Sequence, residues 1–195
     1  MTFRKINKVY FVGIGGIGMS GIAELLLNLG FQVSGSDMNE NDNVERLKSL
    51  GVDIKIGHDP ANLTDADVLV YSSAVPLENP EIMKARQKGI PVIRRAEMLG
   101  ELINVKETSI AVGGTHGKTT TSSMIGAMLS YSKMDPTLVV GGLVQNLNSN
   151  SKLGTGDIIV VEADEFDRSF LALKPTIGII TNIELEHIDC YEDLA

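Results

Sequence analysis

Tryptophan is absent, and five Phe with four Tyr are all the aromatic side chains that 195 residues carry. A single-stranded nucleic-acid binder uses aromatic faces for its bases to stack on, so this content argues against that class. Basic tracts are missing too. Lys and Arg number 17 against 25 Asp and Glu, a formal net charge of -8 that argues against a general nucleic-acid or anionic-membrane surface. Cysteine is confined to Cys190, so no intramolecular disulfide is available and a reducing compartment is expected. No apolar run approaches the about 20 residues of a membrane span, and the first eleven residues lack a signal-peptide core. The chain reads as cytoplasmic, with its oligomeric state left open.

Glycine, by contrast, is plentiful at 20 residues, and it punctuates an alternation of short apolar runs and helical spacings. Strands are expected at 8–12, 31–35, 68–71 and 91–93, and helices at 19–29, 43–50, 79–89 and 95–103. Such alternation predicts an α/β fold with a parallel sheet covered on both faces. The chain turns polar at 104–108, where a domain boundary is expected, giving domains at 1–105 and 106–195. In the second domain strands are expected at 109–112, 137–140, 158–162 and 176–181, a helix at 119–132, and a polar loop at 145–155. So few strands suggest an incomplete domain.

The chemistry concentrates at three places. Gly113-Gly114-Thr115-His116-Gly117-Lys118-Thr119-Thr120 joins an apolar strand to a helix. Glycines let backbone N–H groups turn inward around phosphate oxygens, and the helix N-terminus adds partial positive charge. Lys118 is placed to reach the β/γ-phosphates of a nucleoside triphosphate and Thr119 to ligate Mg²⁺, although Val112 stands where the strict phosphate-loop pattern has its first glycine. The second place is Gly13-Ile14-Gly15-Gly16-Ile17-Gly18, a G-x-G-x-x-G turn between strand and helix, with Asp37 ending the next strand where an acid would meet a ribose. It points to a nucleotide diphosphate without saying which, or else to close strand–helix packing alone.

The third is a pair of acidic strand ends. Glu162 is followed by Asp164, Glu165 and Asp167, and a carboxylate at a core strand's end beside a phosphate loop is a usual Mg²⁺ ligand. Asn182, Glu184, Glu186, His187 and Asp189 follow the last strand; His187 is a candidate metal ligand and Asn182 a candidate substrate contact.

In this order and spacing, Gly13 to Ser20, Gly114 to Thr121, Glu162 to Glu165 and Thr181 to Glu184 with His187 resemble the Mur ligases across the whole chain. The resemblance implies a Rossmann-like UDP-substrate domain over 1–105, then the first part of a P-loop α/β ATPase domain over 106–195. It also implies the reaction. ATP phosphorylates the carboxylate of UDP-N-acetylmuramate to an acyl phosphate, and the amine of L-alanine displaces phosphate, in a step of peptidoglycan precursor synthesis. By the same resemblance Gly114, Thr115, His116, Gly117, Lys118, Thr119 and Thr120 hold ATP. Thr119, Glu162 and His187 hold Mg²⁺. Lys118, Glu162 and His187 carry the chemistry, with Mg²⁺ bridging ATP and the substrate carboxylate. Gly15, Gly16, Ile17, Gly18, Asp37, Ser72, Ser73 and Asn182 are implied on the UDP-substrate side. Two positions depart from the family pattern: Glu186 stands where Asp is usual, and Phe166 where a small polar residue is.

Alternatives remain at this point. The chain is expected to turn over little or nothing alone, and a non-catalytic UDP-sugar or nucleotide-binding module has the same glycine turns. A related murein-peptide ligase shares the motifs. An NAD(P)-dependent oxidoreductase would use Gly13 to Gly18 with Asp37 but leaves Lys118, Glu162 and His187 unexplained.

Overall fold

The computed structural model describes residues 6–144, 149–163 and 170–184. The chain falls into two compact units that divide between Met98 and Leu99.

In the first unit the order is β1 (Lys8–Val12), α1 (Ile17–Asn28), β2 (Gln32–Asp37), α2 (Asp42–Ser49), β3 (Asp53–Ile56), β4 (Val68–Tyr71), α3 (Pro80–Gln87) and β5 (Val92–Arg94), with α4 (Arg95–Leu102) crossing the division. All five strands are parallel, in the order β3-β2-β1-β4-β5. β1 and β4 are nearly continuous apolar runs because helices cover both faces. On one face Tyr10, Val12, Leu69 and Tyr71 pack with Ile82 and Ala85 of α3. Phe11, Ile14, Met19, Ile22 and Leu26 are sealed from solvent as well. Each such aliphatic or aromatic side chain contributes about 1.5–3 kcal/mol by leaving water.

Helix ends follow the local chemistry. Asn41 caps α2, its side chain accepting from the Val44 N–H, and Asn79 caps α3, accepting from the N–H groups of Glu81 and Ile82 while Pro80 occupies the first turn. Gly30, Gly51 and Gly89, each with positive φ, end the three helices α1, α2 and α3.

The second unit continues with β6 (Thr108–Gly113), α5 (Lys118–Tyr131), β7 (Thr137–Val144), β8 (Ser149–Lys152), β9 (Ile158–Glu162) and β10 (Ile177–Ile180). Its sheet runs β10-β6-β9-β7-β8. Ile110, Val112, Leu138 and Val160 form its core, with Ile125 and Leu129 of α5 packed against them. α5 lies close to the sheet because Gly126 faces Leu138; a Cβ there would come within 2.5 Å of the Leu138 side chain.

Two expectations are corrected. β3 was not expected, because only Ile54 of its four side chains is buried and the strand lacks an apolar run. The expected polar loop at 145–155 contains β8, which pairs antiparallel with β7 and makes this sheet mixed rather than wholly parallel. A hairpin strand at a sheet edge needs backbone pairing more than apolar side chains, so Ser149 to Lys152 carry no hydrophobic signal. Among the described residues no helix is long and apolar enough to cross a membrane.

Candidate functional site

Two glycine turns, one in each unit, lie at the carboxyl ends of parallel strands.

In the first unit the chain order reverses at β1, which is flanked by β2 and β4. The carboxyl ends of such strands open into a crevice where open α/β sheets bind ligands. Gly13 leaves β1 with φ +79°, and the N–H groups of Gly13 and Ile14 both donate to the Ser36 carbonyl, at 2.9 and 3.1 Å. Gly15 donates its N–H to Asp37 Oδ2 at 2.7 Å, and its carbonyl accepts from the side-chain amides of Asn41 and Asn43. A Cβ on Gly15 would come within 2.9 Å of Val44, Asn41 and Asp37, so only glycine fits there. Gly16 precedes α1, whose N-terminus has no side-chain cap and no acid in its first turn. That leaves a positively polarised helix end facing the crevice.

Asp37 is thus a brace of the turn, its second oxygen accepting from the Asn39 N–H at 3.1 Å. Ser72 follows β4 beside the turn, its Cβ 3.3 Å from where a Gly13 Cβ would stand, and Ser73 next to it is exposed. Arg95 was missed by sequence reasoning. Its guanidinium lies 3.2 Å from the Cβ position of Gly18, bringing a cation against the first turn of α1. The available signal was Arg94-Arg95 at the carboxyl end of β5, the edge strand beside β4, and so at the same end of the sheet as the glycine turn.

In the second unit β6 delivers Gly113 and Gly114, and α5 begins at Lys118 with Gly117 at φ +80° as its cap. No side chain caps α5 and no acid sits in its first turn. Thr119 and Thr120 are exposed there. The Lys118 ammonium reaches back over the loop, donating to the carbonyls of Gly114 at 2.7 Å and Thr115 at 3.2 Å.

Residues 181–184 strap the loop from the end of β10. Asn182 Oδ1 accepts from the His116 N–H at 2.9 Å, and the Thr181 hydroxyl donates to the His116 carbonyl at 2.6 Å. Thr115 Oγ1 accepts from the Glu184 N–H at 2.9 Å. Gly114, at φ +127°, has the Thr181 hydroxyl 2.2 Å from its Cβ position, so no side chain is tolerated. Asn182 therefore meets the phosphate loop of its own unit.

Glu162 ends β9 in register with Val112 of β6. Its Oε2 accepts from the Gly141 N–H at 2.7 Å, while Oε1 is buried with no hydrogen-bond partner among the described residues. An unpartnered buried carboxylate oxygen is costly unless a cation or proton meets it. It suits Mg²⁺, a hard cation that takes one or two carboxylates and keeps several waters. Among the described residues no three His, Cys, Asp or Glu side chains form a metal cage. His187, Asp164, Glu165, Asp167, Glu186 and Asp189 lie outside the described residues.

Residues 8–107 match the Mur ligase family catalytic domain, and residues 112–195 match the Mur ligase middle domain. The UDP-N-acetylmuramate–L-alanine ligases of Trichlorobacter lovleyi and Aquifex aeolicus are 57% and 54% identical to the chain over 189 and 193 residues, 97% and 99% of it. The chain spans 41% and 42% of the length of these two relatives. The UDP-N-acetylmuramate-alanine ligase of Thermotoga maritima superposes with a TM-score of 0.88 at 34% identity, covering 95% of this chain and 44% of that one. A UDP-N-acetylmuramate:L-alanyl-gamma-D-glutamyl-meso-diaminopimelate ligase from Neisseria meningitides gives 0.88 at 29% identity, covering 97% and 64%. With both family models matched in chain order and both glycine turns built as described, the chain belongs to the Mur ligase family.

Proposed function

We propose that the chain is the UDP-substrate unit and the first part of the ATP-binding unit of an ATP-dependent ligase that joins L-alanine to UDP-N-acetylmuramate. The observation that carries this is the carboxyl edge of the second sheet. There the Lys118 loop, the start of α5 without a side-chain cap, and the Glu162 Oε1 that no described residue meets come from strands adjacent in the sheet. Relatives named for that reaction, identical at more than half of the aligned positions over nearly the whole of this chain, support the choice of substrates.

In this reading the Lys118 ammonium and the N–H groups at the start of α5 bind the ATP phosphates, while the N–H groups of Thr115 and His116 stay on Asn182. Phosphate oxygens offer Lys118 anionic acceptors in place of the two neutral carbonyls it now bonds, adding ion pairing to the hydrogen bond. Thr119, Glu162 and His187 would hold Mg²⁺, which neutralises charge on the transferring phosphoryl group. Gly15 to Gly18, Arg95, Ser72 and Ser73 hold the UDP diphosphate and its neighbours. Asp37 holds the turn, and Asn182 holds the phosphate loop. A hydride-transfer function gives Lys118 and Glu162 nothing to do.

Isothermal titration of the 195-residue chain tests the proposal. UDP-N-acetylmuramate is expected to bind and NADH not to bind. Binding of NADH with no response to the UDP-sugar would overturn it.

A further inference from the structure

Below the first glycine turn lies a carboxylate that neither the reaction nor the sequence motifs use. Glu81, in the first turn of α3, is wholly buried. Its Oε1 accepts from the Tyr10 hydroxyl at 3.1 Å and from Asn62 Nδ2 at 2.9 Å. Its Oε2 accepts from the Ser36 hydroxyl at 2.6 Å and faces His58 Nδ1 at 3.0 Å. His58 Nδ1 also lies 3.0 Å from Ser36 Oγ. Burial, and then the Glu81 charge, push the Tyr10 phenol up, which keeps it a donor.

Two of these partners lead to the turn. Ser36 is the residue whose carbonyl accepts both the Gly13 and Ile14 N–H groups. Asn62 Nδ2 also donates to the Gly57 carbonyl at 3.0 Å, and the Gly57 N–H donates to the Asp37 carbonyl at 2.8 Å. Asp37 in turn holds the Gly15 N–H. The segment Ser36–Asp37 is therefore gripped from beneath by one buried group while it grips three consecutive turn N–H groups above. Burying a carboxylate among four polar partners costs desolvation, and a purely apolar filling of the same volume is often as stable. Stability alone thus gives little reason for an acid at this place.

We infer that Glu81 is a positioning residue of the first glycine turn: through Ser36 on one oxygen and Asn62 on the other, it fixes Ser36–Asp37 and hence the direction of the Gly13, Ile14 and Gly15 N–H groups. The binding arm of its test rests on the proposed UDP-substrate role of that turn; the exchange arm does not. Ile82 serves as the control, because it neighbours Glu81 in α3 and is as fully buried, yet its aliphatic side chain can hydrogen-bond neither the carboxylate nor Ser36–Asp37.

The experiment compares wild type, Ser36→Ala, Glu81→Gln and Ile82→Val in the 195-residue chain. Amide hydrogen exchange is read residue by residue, and UDP is titrated calorimetrically. Ser36→Ala and Glu81→Gln are expected to speed exchange at Gly13 and Ile14 about fivefold, the equivalent of one typical hydrogen bond, and to weaken UDP binding by a similar factor. Ile82→Val is expected to lower the melting temperature by loss of core packing while leaving both readouts within about twofold of wild type. If Glu81→Gln does not fold, Ser36→Ala against Ile82→Val decides. Equal exchange at Gly13 and Ile14 in those two variants overturns the inference. Failure of wild type to bind UDP would count against the substrate reading of the turn, and the exchange comparison would still decide the role of Glu81.

Discussion

Gly141 donates its backbone N–H to Glu162 Oε2 at 2.7 Å, and a Cβ on Gly141 would stand 2.4 Å from that same oxygen. One oxygen is thereby fixed by backbone while the other, Oε1, is left buried without a partner among the described residues. In the proposed reading a carboxylate held this way meets Mg²⁺ with its other oxygen. Glu162→Gln is expected to weaken Mg²⁺-dependent ATP binding at least tenfold, about 1.4 kcal/mol. It should leave the melting temperature unchanged or raised, because a buried charge is removed. Calorimetry with and without Mg²⁺ checks this, and undiminished Mg²⁺-dependent affinity would sink the assignment. Gly141→Ala should give the same loss by displacing the carboxylate.

Asp37 separates support of the turn from contact with a ligand. Asp37→Ala leaves the Gly15 N–H without its acceptor, at a cost of about 1–3 kcal/mol in the stability of the first unit. Asp37→Asn keeps a carbonyl oxygen for that bond and should lose less than half as much. Urea unfolding curves of the two variants measure the difference; equal losses would mean that the carboxylate charge, rather than the bond to Gly15, matters there.

Acid stability of the second unit should report Asp135. Its carboxyl is held well below the ordinary value of 3.8, first by the Lys152 ammonium at 2.7 Å, then by the N–H and hydroxyl of Thr155. The folded form gives up this proton more readily than the unfolded chain. The stabilisation is therefore complete above about pH 4, the unfolded carboxylate value, and lost as pH falls through the lower folded one. Thermal melts of the second unit should decline below about pH 4, and Asp135→Asn should flatten that acid limb. An unaltered limb in the variant would remove Asp135 from the account.

β10 is an edge strand among the described residues, and its Ile177 and Ile180 are 47% and 69% exposed. An apolar sheet edge is a template for pairing with other chains. Ile180→Lys is expected to raise the concentration at which the chain remains monomeric in light scattering, with a stability change within about 0.5 kcal/mol. A large loss of stability would show that this side chain is already packed.

Much of this architecture was legible because chemistry and periodicity coincide locally. β4 and β9 are short unbroken apolar runs, and each has the limits that its apolar run suggested, since both faces are covered. The glycine turns were legible for the same reason: Gly13, Gly114 and Gly117 carry positive φ or admit no side chain, and a sequence shows glycine directly. β3 and β8 were not legible, because an edge strand is held by backbone bonds that leave no mark on side-chain type. Glu81 was hidden for another reason. Its partners lie at Tyr10, Ser36, His58 and Asn62, up to 71 positions away, and nothing local distinguishes it from a solvated first-turn acid. Arg95 lay in plain view as the first residue of an expected helix with no role attached to it, and only the fold brings it to Gly18.

The central claim assigns different ligands to the two glycine turns, and amide NMR of the 195-residue chain separates them. UDP-N-acetylmuramate is predicted to shift the amides of Gly13 to Gly18 and leave Gly114 to Thr120 in place. Mg²⁺ and ATP are predicted to do the reverse. Shifts of both turns by ATP alone, or of the first turn by NADH and not by the UDP-sugar, would contradict the account.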